Sequence, residues 1–94
     1  MYNYKMDHQH LTLINRMLEC EKTIRRYPYG QARRDLSKMY DNIMRLNTER
    51  DKALVECRRL ARVTTEYQNK QKELEVALEN LEQYITMAIL IKPE

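Results

Sequence analysis

His8 and His10, with Asp7 beside them and Cys20 further on, are the first residues whose types could hold a metal. Zinc needs imidazoles and thiolates that converge on one point. In a helix, residues two apart point to different faces, so these two imidazoles do not meet. No metal site is expected. Cys20 and Cys57 form neither a zinc pattern nor a CxxC pair. Each falls at an apolar or helical position, where a free thiol behaves as a small hydrophobe. That usage fits a reducing setting, so an intracellular, cytoplasmic or nuclear location is expected. Neighbouring Arg58 and Arg59 are the only groups that could activate Cys57. With a single serine, Ser37, and no Gly-rich phosphate loop, no catalytic residue and no cofactor are expected.

Arg45, Arg50, Lys52, Arg58, Arg59 and Arg62 make the middle of the chain basic. A continuous basic helix can lie along phosphates or in a major groove. Here Glu49, Asp51 and Glu56 interrupt it, and the tyrosines are too scattered to form a stacking platform. Arg45, Arg58, Arg59 and Arg62 are the candidate contacts to an acidic partner. Residues 1–72 hold 16 Lys/Arg and 9 Asp/Glu, whereas residues 73–94 hold one and five. A basic body joined to an acidic end suits acidic partners or head-to-tail self-pairing.

The elements that carry these residues follow from composition. One Gly, two Pro and one Ser in 94 residues leave almost no turn-forming residues, which argues against sheets and loop-built active sites. Leu, Ile and Val number 20 of 94, near the limit below which a core cannot be buried. The fold class is all-α, a single unit over 1–94. No run approaches the roughly 18 apolar residues of a membrane span, and the N-terminal MYNYKMDHQH has no signal core.

Punctuation falls at Tyr27-Pro28-Tyr29-Gly30, where Pro28 excludes helix at Tyr27 and Gly30 tolerates positive φ. The preceding segment, about 4–26, carries Met6, Leu13, Met17, Cys20 and Ile24 at helical spacing. After the turn at 27–30 the heptad pattern predicts one long helix over about 31–91. With Leu36 at position a, the d positions are Met39, Leu46, Ala53, Leu60, Tyr67, Leu74, Leu81 and Ala88. The a positions are Leu36, Ile43, Arg50, Cys57, Thr64, Gln71, Leu78 and Ile85. The register runs without a skip, a coiled-coil signal. The expected architecture is therefore a short helix, a turn and a long helix, with residues 4–26 packed antiparallel on 31–54. Beyond that reach the e positions turn polar at Gln68, Glu75 and Glu82, and the exposed seam calls for another chain.

The expected partner interface comprises Leu36, Met39, Ile43, Leu46, Arg50, Leu60, Tyr67, Leu74, Leu78, Leu81, Ile85 and Ile89. Residues 84–91, Tyr-Ile-Thr-Met-Ala-Ile-Leu-Ile, are apolar on all sides if helical and mark a docking segment, helical or extended. The polar a positions Arg50, Cys57, Thr64 and Gln71 would fix register and partner choice. A parallel homodimer would set Arg50 against its own copy. A hetero-oligomer with other helical chains is favoured over an antiparallel homodimer crossing near Arg62–Val63, which would bring Arg50 near Glu75 and Lys52 near Glu73. The expected function is that of a non-enzymatic coiled-coil adaptor or structural subunit. The alternative is a basic helical module that binds nucleic acid or an acidic protein surface, as an inhibitor for instance.

Overall fold

The computed structural model describes the backbone of residues 4–28 and 30–90 and the side chains of 12–28 and 30–89. It contains three helices, α1 (Tyr4–Arg26), α2 (Gly30–Leu60) and α3 (Thr65–Leu90). No strand occurs among the described residues. The first helix spans the residues its apolar spacing predicts. The expected single long helix over 31–91 does not form; it is broken at residues 61–64.

Local chemistry explains the break. The N–H of Ala61 donates to the Arg58 carbonyl at 3.2 Å, and that of Arg62 to the Cys57 carbonyl at 3.1 Å. This pair of bonds is the Schellman ending of a helix, which satisfies carbonyls the last turn would leave open. It places Ala61 in the left-handed region at φ 54°, a position usually held by glycine. The next helix starts on Thr64, whose Oγ1 accepts the Tyr67 N–H at 3.2 Å and whose carbonyl accepts the Gln68 N–H. That is an N-cap. Glu66 in the first turn of α3, and Arg58 and Arg59 in the last turn of α2, complement the helix dipoles.

The reversal lays α3 back on α2, and α1 covers both. Leu13, Met17, Cys20 and Ile24 of α1 share one core with Leu36, Ile43 and Leu46 of α2 and Leu74, Leu78, Leu81 and Ile85 of α3. Nearer the reversal, Ala53, Leu54, Cys57 and Tyr67 form a second, two-helix cluster. The a/d stripe of α3 thus finds its cover inside the chain. Leu74, Leu78 and Leu81 are fully buried, which corrects the expectation that only another chain could cover them. The result is a slender body of 54 × 19 × 17 Å. Among the described residues no helix is long and apolar enough to cross a membrane.

At the first turn the glycine reading is also corrected. Gly30 is the first residue of α2 and does not take positive φ. A Cβ placed there would meet nothing within 4 Å. Chain reversal is instead anchored by Tyr27, buried, whose hydroxyl donates to the Ala88 carbonyl at 3.0 Å. The residue types at 30 and 61 are therefore each the less stable choice. Gly30→Ala should raise stability by about 0.4–1 kcal/mol through reduced unfolded-state entropy. Ala61→Gly should raise it by about 0.5–1 kcal/mol, since relief of 1–2 kcal/mol of left-handed strain exceeds the entropy cost. Urea midpoints at constant slope would measure both; a lower midpoint for Ala61→Gly would contradict the strained turn.

Candidate functional site

The most unusual side chain in the molecule is Arg50, fully buried in the seam between α2 and α3. An unpaired buried guanidinium would be costly, so its donors must be occupied. Nη1 donates to Gln71 Oε1 at 2.9 Å across the hairpin. Nη2 donates to Asn47 Oδ1, and Nε donates to Asp51 Oδ1 at 3.1 Å. Asp51 supplies the counter-charge and is itself half exposed. Gln71 is buried as well, and its Nε2 finds no hydrogen-bond partner among the described residues.

Two further contacts extend this polar layer. Lys70 Nζ donates to Glu49 Oε1 at 2.9 Å across the hairpin, and Arg45 binds the other oxygen of Glu49. Next toward the turn, Cys57 Sγ and Thr64 Oγ1 lie 3.4 Å apart. The four polar a positions therefore face one another in two pairs, Arg50 with Gln71 and Cys57 with Thr64. Both pairs are placed symmetrically about the peptide bond that joins Leu60 to Ala61. The antiparallel alignment foreseen for two copies occurs within one chain, in a shifted register. Arg50 meets Gln71 and not Glu75, and Lys70, not Lys52, forms the cross-hairpin ion pair. On the far side, Arg16 of α1 grips Glu82 of α3 through two bonds, Nε to Oε2 at 3.0 Å and Nη2 to Oε1 at 2.6 Å. Glu82 had marked a narrowing of the seam; it is the α3 anchor for α1.

Of the residues expected at a partner interface, Leu36, Ile43, Leu46, Arg50, Tyr67, Leu74, Leu78, Leu81 and Ile85 are buried within the chain. Met39 is partly buried against the core. Leu60 and Ile89 remain open, at 37% and 50% exposure. The basic candidates Arg45, Arg58, Arg59 and Arg62 are all exposed, but Arg45 is paired with Glu49 and Arg59 with Glu56. The side chains of His8 and His10 lie outside the described residues. Among the described residues no group of three metal-ligating side chains comes together.

Residues 84–90, expected as a docking segment, are helical in the chain alone. Among them Tyr84 and Met87 are more than half exposed. At 100° per residue Met87 and Val76 lie on the side of α3 opposite Leu74, Leu78, Leu81 and Ile85, and Tyr84 stands at the edge of that side. Val76 is not part of any seam position, which is why heptad reading passed over it. No protein-family model, no curated protein and no solved structure matches this chain.

Burial sets the chemistry of the thiol in the main core. It pushes Cys20 up to about 11, with the Glu82 carboxylate adding to the effect. The thiolate is the reactive form, so Cys20 should react with a disulfide reagent at pH 8 only as fast as the fold opens. Glu49 behaves oppositely: its bond to Lys70, then that to Arg45, holds it below the usual carboxylate range. A depressed folded value stabilises the fold above the unfolded pKa and loses that contribution as pH falls through the folded value. Stability should thus decline as pH drops below the ordinary glutamate value, and Glu49→Gln should flatten that part of the profile.

Deleting one member of the Arg50 layer should cost more than deleting the layer. Gln71→Leu leaves a buried guanidinium short of an acceptor, a loss of about 3 kcal/mol or more. Arg50→Met with Gln71→Leu should recover part of that. Additive losses in a double-mutant cycle would contradict the coupling.

Proposed function

We propose that the chain is a non-enzymatic helical adaptor or structural subunit that assembles with another helical protein in a larger complex. It docks through the outer face of α3. The observation that carries this reading is the pair Tyr84 and Met87, exposed at 56% and 53% one turn apart on the same side of α3. Singly exposed apolar residues are ordinary, but large ones grouped at a helix end mark contact surfaces. Val76 extends the surface along the same helix at 51% exposure.

The buried a/d seam changes what the partner has to do. It need not complete a coiled coil; it lays an apolar stripe against a helix that is already folded. A partner of different sequence suits this face better than a second copy. Glu73 and Glu79 outnumber Lys72 along the stripe, and α3 has no basic residue in its last turn, so a basic partner complements this face better than a second copy does. The nucleic-acid alternative draws less support, because Arg45 and Arg59 already satisfy Glu49 and Glu56.

A photo-reactive amino acid placed at Met87 should capture one defined protein from native lysate. The same probe at Arg33, on the exposed side of α2, should not. Tyr84→Asp with Met87→Asp should weaken the captured complex at least about tenfold while far-UV circular dichroism stays unchanged. Equal capture from both positions, or full binding by the double variant, would refute the docking face.

A further inference from the structure

We infer that a second copy of this chain can replace the hairpin's own partner helix, giving an antiparallel domain-swapped dimer by straightening of residues 61–64. The heptad register supplies the first argument. A turn between two packed helices places no demand on phase, yet the a/d positions continue through the break without insertion or deletion. If 61–64 became helical, α2 and α3 would join into one rod with an unbroken seam.

The contact pattern supplies the second. Arg50 with Gln71 and Cys57 with Thr64 lie symmetrically about the Leu60–Ala61 junction, and Glu49 with Lys70 lies two residues off that symmetry, within reach of two long side chains. Two straight chains crossing antiparallel at that junction would re-form each of these pairs between copies. Each α1 would stay on its own α2 and cover the α3 of the other copy. The side-chain pairs across the seam are kept, and the Thr64 cap and the bond from its N–H to Cys57 Sγ are given up, close to the condition for a low-cost swap.

The turn supplies the third. Ala61 sits at φ 54° without the freedom of a glycine. Leu60, a d position, is 37% exposed at the turn and Val63 is 39% exposed; a straight seam would give Leu60 a facing partner. Against straightening stand the Thr64 cap and the β-branched run Val63-Thr64-Thr65, which disfavours helix. Concentration can tip such a balance, because the dimer is second order in chain. This association does not use the outer face of α3, so its failure would leave the docking proposal untouched.

The cross-hairpin ion pair allows a test on the unaltered protein. Equal amounts of ordinary and heavy-isotope-labelled chain are unfolded, refolded together at millimolar concentration, and treated with a carbodiimide, which joins a carboxylate to a nearby amine. After digestion, the Glu49–Lys70 cross-linked peptide is weighed. Closed monomers give only peptides with both halves from one isotope. The swapped dimer gives mixed peptides, confined to a dimer peak on size exclusion. Ala61→Gly removes the strain of the closed form and weakens helix through the hinge. It should lower the dimerisation constant on the order of a hundredfold. Mixed peptides that Ala61→Gly suppresses support the swap. Absence of mixed peptides at millimolar chain, or mixed peptides that Ala61→Gly leaves unchanged, would overturn it.

Discussion

The architecture depends on covering one apolar stripe. Without a centre to collapse around, a chain with so few aliphatic residues must bury its a/d positions against another helix. The reversal at 61–64 makes the cover intramolecular, and the remaining features follow. The α3 stripe is sealed by α2, and α1 lies over the half of the hairpin away from the turn. One face of α3 is left in solvent with Val76, Tyr84 and Met87 on it.

Within that seam the polar layer fixes alignment more than it adds stability. Leucine against leucine would tolerate sliding by a heptad, but a buried arginine tolerates only the register that satisfies its donors. Gln71 provides one acceptor across the hairpin and Asn47 and Asp51 provide two from α2 itself. A slip of one heptad would put Leu78 or Thr64 opposite Arg50. The ion pair of Lys70 with Glu49 reinforces the same alignment at the surface, where its energetic worth is small.

The first helix was legible in position and in its C-terminal end, because its stripe is clear and Pro28 closes it. The heptads of α2 and α3 were legible as seam positions, and most of them are buried where the pattern places them. What covers them was not legible. The break carries no Gly or Pro, and the uninterrupted register hid it. Its signals were weaker and local: three β-branched residues at 63–65, a threonine ahead of Glu66, and two arginines closing the previous helix. Capping chemistry outweighed a periodicity that both a straight and a folded helix satisfy. Val76 escaped notice for a related reason, since a second face on a helix is invisible to a single-seam register.

The most direct measurement is the distance across the hairpin in isolated molecules. Single-molecule energy transfer between dyes at Lys38 and Gln83, in a chain whose two cysteines are replaced by alanine, reads it at picomolar concentration, where no second copy can intervene. Packed helices lie about 10 Å apart, so a closed hairpin predicts near-complete transfer. A continuous helix would separate the same positions by roughly 68 Å at 1.5 Å per residue. A single low-transfer population at that separation would contradict the folded hairpin, and with it the self-covered seam.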